Sequence, residues 1–169
     1  MDRDEVVVTV EIPRGSRNKY EYDPELGAIA LDRRLFTSTV YPADYGFVDG
    51  TLAGDGDTLD ALVLVGDPTF PGCRIRVRVV GVFRMVDEKG QDDKLLCVPL
   101  RDPLWSDLRE LADIPQAFRA EIEQFFKVYK ELEGVTTRTA GFGDRAEALQ
   151  VLEEAREASR NSTERPREV

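Results

Sequence analysis

Apolar positions alternate with polar ones along much of the first two thirds of the chain and recur every third or fourth position after residue 113, which predicts a series of short strands followed by two helices. Val6-Val7-Val8-Thr9-Val10-Glu11-Ile12 is rich in β-branched residues, closes at Pro13, and reads as the first strand. Lys19, Glu21 and Asp23 alternate with Tyr20 and Tyr22, so a period of two sets Lys19 and Glu21 on one face of a second strand. A third strand over 29–33 follows the turn at Gly27. Residues 41–48 hold two tyrosines four apart beside Pro42 and Gly46, and read as a shaped loop. The apolar run Ala61-Leu62-Val63-Leu64-Val65 predicts a buried strand. Residues 75–85 alternate long enough for another strand, with Arg74, Arg76 and Arg78 on its polar face. A polar turn over 87–92 then leads into 94–98, a hairpin that sets Asp92 and Lys94 on one face.

The helical period begins at Asp113, a capping residue type, with Pro115 in the first turn, where its missing N–H costs little. Phe118, Ile122, Phe125, Tyr129 and Leu132 form the apolar stripe of a helix expected to end near Gly134. Asp144 with Glu147 three residues on is a capping-box start for a second helix carrying Leu149, Leu152 and Ala155. Strands followed by two helices give an α+β, mainly β domain whose sheet closes into a small barrel.

At 169 residues and 41% hydrophobic content, the chain suits one compact domain with a real core. Its 23 basic and 33 acidic residues give a net charge of −10, which argues against a general nucleic-acid or anionic-membrane binder. The apolar stretch after the acidic N-terminus is too short for a signal peptide or a membrane span, so a cytoplasmic protein is expected. On that expectation Cys73 and Cys97 are reduced core residues rather than a disulfide. Histidine is absent, which leaves carboxylates, lysines, arginines and tyrosines for any chemistry.

The candidate chemistry centres on Gly54-Asp55-Gly56-Asp57-Thr58-Leu59-Asp60, three carboxylates within six residues. Like charges this close resist ionising together, so a cation is expected among them, with magnesium or another hard dication the natural choice. An EF-hand calcium loop beginning at Asp55 would need a ligand at Leu59, glycine at Asp60 and glutamate at Gly66, with flanking helices, and fails on each count. A solvated turn would account for two acidic residues beside glycines; a second cluster, Asp87 and Asp92 with Lys94, strengthens the reading as a site. Lys19, Arg33, Lys94 and Lys130 taken singly read as surface cations, and Tyr129 as a core residue.

As a set, these residues resemble family I soluble inorganic pyrophosphatase of the bacterial type. The resemblance is carried by Glu11-Ile12-Pro13, Asn18-Lys19-Tyr20-Glu21, Asp32-Arg33, Tyr41-Pro42-Ala43-Asp44-Tyr45-Gly46, Asp55-Gly56-Asp57-Thr58-Leu59-Asp60, Asp87-Glu88-Lys89-Gly90-Gln91-Asp92-Asp93-Lys94 and Phe125-Phe126-Lys127-Val128-Tyr129-Lys130, in order over most of the chain. It implies a small closed five-stranded, OB-like barrel with two C-terminal helices and a single pyrophosphatase domain over 1–160; residues 161–169, polar throughout most of their length, read as a frayed tail. The implied activity is hydrolysis of pyrophosphate to two phosphates with several magnesium (Mg2+) ions per site, manganese or zinc serving as substitutes. By the same resemblance Asp55, Asp60, Asp87 and Asp92 bind metal directly, Glu21 through the substrate-linked metal and Glu11 through water. Asp57 is the general base, and Lys19, Arg33, Tyr45, Lys94, Tyr129 and Lys130 hold phosphate, with Tyr41 near the site.

The charges agree with that assignment. Seven carboxylates against Lys19, Arg33, Lys94 and Lys130 leave the site three charges negative, so pyrophosphate is repelled until roughly three or four dications enter. Two departures from the commonest family pattern, Phe142 after Gly141 in place of tryptophan and Arg138 in place of lysine, remove no assigned group. A homo-oligomer, by resemblance a hexamer, is expected, with contacts other than the histidine contacts some relatives use. Two rival readings are a metal-dependent phosphohydrolase acting on a larger nucleotide and a metal-binding module without turnover.

Overall fold

The β-branched run at the start of the chain forms β1 (Glu5–Ile12), and the strands that follow are β2 (Asn18–Asp23), β3 (Ala28–Arg34), β4 (Asp44–Val48), β5 (Leu59–Val63), β6 (Arg74–Asp87), β7 (Gly90–Gln91) and β8 (Lys94–Pro99). Helix α1 (Gln116–Val128), strand β9 (Arg138–Gly143) and helix α2 (Arg145–Asn161) complete the order. The structure, a computed structural model, describes residues 1–162. Asn161, assigned from sequence to a frayed tail, instead closes α2; the rest of that expected tail from residue 163 lies outside the described residues.

Five strands close into a ring. β1 pairs antiparallel with β4, β4 antiparallel with β5, β5 parallel with β8, β8 antiparallel with β6, and β6 antiparallel with β1 again. β7 and β9 add to β6, while β2 and β3 form a separate two-stranded sheet. The mainly β architecture, the ring of five and the two C-terminal helices agree with the expected fold.

One buried set draws on all five ring strands, including Val8, Val48, Ala61, Val79 and Leu95, and is completed by Ala148, Leu152 and Ala155 of α2. Alternation assigns this set to the inside of the ring. The opposite faces of β5, β6 and β8 contribute Leu62, Phe83 and Leu96 to a second core with Ile122, Phe125 and Phe126 of α1. The two faces of β6 exchange sides along the strand where its register with β8 shifts between Val79 and Gly81. Val77 and Val79 face the first core and Phe83 and Met85 the second, although all four positions are odd. Asp60 and Lys94 lie two residues before Leu62 and Leu96, and so emerge on the α1 side.

Two further sequence expectations need correction. Residues 41–48 do not remain a loop, since Asp44–Val48 pairs on both edges as β4. Its Pro and Gly signals concealed a strand whose Gly46 is dictated by close approach: a Cβ there would sit 2.0 Å from the Thr9 carbonyl oxygen. Gly46→Ala is therefore expected to destabilise the fold by about 1–3 kcal/mol or more; a chemical-denaturation midpoint equal to the parent's would overturn this. The first helix neither starts at Asp113 nor runs to Gly134. Asp113 accepts the backbone N–H groups of Arg109 and Glu110 at 2.9 Å each, and Pro115 is the N-cap residue of α1. Beyond Tyr129 the chain tightens into a 3-10 turn over Glu131–Glu133, ended by Gly134 at φ 75°, which leaves Leu132 exposed. Finally, β9 has no counterpart among the strands the sequence predicts. The capping box of α2 is as expected: Asp144 accepts from Glu147 N at 2.9 Å and Glu147 from Asp144 N at 2.7 Å. The thiols of Cys73 and Cys97 are both free. No helix among the described residues is long and apolar enough to cross a membrane.

Candidate active site

A cleft of about 350 Å³ opens where β1, the β2–β3 hairpin, β4, the 55–60 segment, the 87–92 turn and the end of α1 meet. The metal-ligand candidates Glu11, Glu21, Asp55, Asp60, Asp87 and Asp92 all line it, as does the base candidate Asp57. Of the phosphate-ligand candidates, Lys19, Arg33, Tyr45, Tyr129 and Lys130 line it too, with Tyr41 beside them. Lys94 lies behind this lining and reaches it through its partners.

Lys94 is the structural centre of the site. It is fully buried, which removes its bland reading as a surface cation. Its Nζ donates to Tyr45 Oη at 2.9 Å, Asp92 Oδ2 at 3.0 Å and Asp60 Oδ2 at 3.1 Å, and sits over the rings of Tyr45 and Phe126 at 5.1 and 5.2 Å. Asp60 and Lys94 are register partners across the parallel β5–β8 pair, and Asp92 precedes Lys94 by two residues. Burial alone would lower the lysine pKa, but Asp60 and Asp92 outweigh it and hold the ammonium charged, above its ordinary range. Tyr45 donates its hydroxyl to Asp60 Oδ2 at 2.6 Å, so it braces the array.

The carboxylates are pushed the other way. Burial raises Glu11 to about 7, against a hydrogen bond from the Tyr22 N–H and with Asp60 and Glu21 adding repulsion. Burial likewise raises Asp55 and Asp92; Lys94 opposes the rise at Asp92 and Asp60 adds to it. In each case burial outweighs the nearby lysines, and a dication among these groups would supply the positive charge that favours their ionised forms. Among the described residues no group of three or more carboxylates forms a ready-made ion cage. The donor set, all oxygen and mostly carboxylate, fits a hard dication that keeps part of its water shell.

Of the other cations, Lys19, Arg33 and Lys89 each stand beside an acid. Lys19 pairs with Glu21, as their shared strand face predicts, and lies 3.7 Å from Asp32. Arg33 pairs with Asp32 and donates Nε to Glu133 Oε1 at 2.6 Å. Lys89 Nζ stands 3.9 Å from Asp57, and Lys130 Nζ lies over the Tyr129 ring at 5.3 Å. Asp32, Lys89 and Glu133 are site residues to which sequence reasoning gave no role. Asp32 and Lys89 sit inside segments quoted above, so their signal was present. Glu133 gave none, because the 3-10 turn that delivers it broke the helical period.

Residues 8–160 match the family described as inorganic pyrophosphatase. An inorganic pyrophosphatase of Streptomyces coelicolor is 58% identical over 147 residues, covering 86% of this chain and 90% of that protein. One from Methanosarcina mazei is 51% identical over 150 residues, covering 89% of each. The crystal structure of inorganic pyrophosphatase from Thermus thermophilus superposes with a TM-score of 0.90 at 43% identity, over 94% of this chain and 92% of that one.

Proposed function

The chain belongs to the inorganic pyrophosphatase family and is an inorganic diphosphatase; we propose that its hydrolysis of pyrophosphate to two phosphates depends on magnesium and uses Asp57 as general base. The observation that carries this reading is the meeting in one cleft of carboxylates from β1, β2, the 55–60 segment and the 87–92 turn, with Lys19, Arg33, Lys94 and Lys130 around them. Asp55, Asp60, Asp87 and Asp92 would hold the ions directly, with Glu21 and Glu11 supporting them. Bound magnesium would supply charge neutralisation and lower the pKa of water toward neutrality.

The chain's own groups do the rest. The Asp57 carboxylate, about two fifths exposed, accepts a proton from the attacking water. Lys19, Arg33 and Lys130 donate to the phosphoryl oxygens, with the Tyr129 hydroxyl beside them, and neutralise charge as the bridging P–O bond breaks. Substrate oxygens would replace the carboxylates that now occupy Lys19 and Arg33. Lys94 keeps Asp60 and Asp92 in place and offers charge to the leaving phosphate. No covalent enzyme intermediate is needed. The reading extends to several magnesium ions per site, manganese or zinc as substitutes, a cytoplasmic setting, one domain over 1–160 and a homo-oligomer, with a hexamer expected.

Phosphate release from pyrophosphate by the purified chain tests this. Release is expected with magnesium, to fall to background with the metal chelated, and to be small with ATP as substrate. Comparable ATP hydrolysis would favour the nucleotide phosphohydrolase, and folded protein that binds dications without releasing phosphate would favour the binding module.

A further inference from the structure

An extended chain sends neighbouring side chains to opposite sides, so the segment that delivers Asp92 and Lys94 to the cleft turns Asp93 away from it. Asp93 is nonetheless 7% exposed, and borders a second cavity of about 480 Å³ between α2 and the back of the site. Its Oδ2 accepts from Gln91 Nε2 at 2.9 Å and Arg84 Nη1 at 3.3 Å, while its Oδ1 has no hydrogen-bond partner among the described residues. Burying a carboxylate this incompletely satisfied is costly, and a surface residue at position 93 would avoid the cost.

Its partners show what the burial achieves. Arg84 stands on β6 beside Phe83, the register partner of Lys94, and its Nη2 lies 3.6 Å from Oε1 of Glu147 in the first turn of α2. Gln91 immediately precedes Asp92, whose N–H donates to the Met85 carbonyl. We propose that Arg84 and Asp93 are positioning residues: with Gln91 they pin the back of the 91–94 segment to β6 and α2, and so fix the direction in which Asp92 and Lys94 enter the cleft. This rests on the reading of Asp92 and Lys94 given above. Without the clamp the backbone pairing survives, but the Asp92–Lys94–Asp60 array loses its fixed approach. A tie that only fastens α2 to the sheet makes a different prediction: melting temperature falls while ion binding and turnover of the folded protein stay as they were.

The test compares Arg84→Met, Arg84→Lys and Asp93→Ala with the parent at a temperature well below each melting transition. Two readouts are used: manganese binding to substrate-free protein by electron paramagnetic resonance, and kcat and KM across a magnesium series. Arg84→Met and Asp93→Ala are expected to weaken manganese binding, and to raise the magnesium concentration giving half-maximal rate, by about 10-fold, the lower end of what outer-shell partners cost. KM should move less than kcat, and Arg84→Lys should recover most of the loss. Manganese binding and kcat equal to the parent's in folded variants would overturn the inference. If Asp93→Ala does not fold, the contrast between Arg84→Met and Arg84→Lys decides. A parent that binds manganese but releases no phosphate refutes the function reading instead, and the binding readout still decides the positioning role.

Discussion

Asparagine at position 57 is expected to lower kcat by about 100- to 10,000-fold, the span that a positioned general base contributes. The substitution preserves shape while removing the carboxylate's charge, and with it the capacity to take up a proton. The turn that presents the side chain is held by main-chain groups: the Asp57 N–H donates to Asp55 Oδ1 at 3.0 Å, its carbonyl accepts from Ala53 N at 2.7 Å, and Gly56 adopts φ 86° between the two acids. Asp55 and Asp60 keep their positions, so ion binding should survive nearly intact. Lys89 loses an exposed partner at 3.9 Å, which matters little to stability. The check is steady-state kcat at saturating magnesium, beside a melting curve that matches the parent. An undiminished kcat would remove Asp57 from the chemistry.

Lys94→Ala is expected to damage both the fold and the reaction. Removing a fully buried ammonium leaves Asp60 and Asp92 facing each other without their shared cation, a loss of about 3–5 kcal/mol for one broken partner of a buried pair. Tyr45 loses its hydrogen-bond donor at the same time. KM should rise and kcat fall, because the same side chain positions the acids and offers charge to phosphate. Part of the lost stability should return with magnesium, since a dication can occupy the ground the lysine gave up. Melting temperature measured with chelator and with magnesium, beside steady-state kinetics, reads both effects. A variant that matches the parent in all three would reduce Lys94 to a core filler.

The parts of the fold legible in the sequence were those whose signal is local. The β1 run, the hairpin that joins β6 to β8 and the Asp144–Glu147 capping box each state their conformation within a few residues, and the structure agrees with each. What escaped is set by partners distant in sequence. β4 reads as a loop from its Pro and Gly content and becomes a strand because β1 and β5 lie on either side of it. β9, Arg-Thr-Ala-Gly-Phe-Gly, has neither a clear apolar face nor β-branched density, and owes its strand to the edge of β6. The candidate site shows the same division. Lys19 with Glu21, and Asp92 with Lys94, follow from a period of two. That Lys94 is buried, and that Glu133 holds Arg33, depends on where α1 ends and how tightly the chain turns after it.

The parallel β5–β8 pair has a consequence for how the protein assembles. β4 with β5, and β6 with β8, can each form from neighbouring chain, but the ring closes only when β5 finds β8 and β1 finds both β4 and β6 across long stretches of intervening sequence. Those three closures carry the entropic cost of large loops. Asp55 and Asp60 arrive with the first hairpin and Asp87 and Asp92 with the second, so neither half carries the full acidic set. On this topology Asp55, Asp60, Asp87 and Asp92 come together only once β5 pairs with β8, and a cation that bridges the two hairpins would favour that joined state over every earlier one.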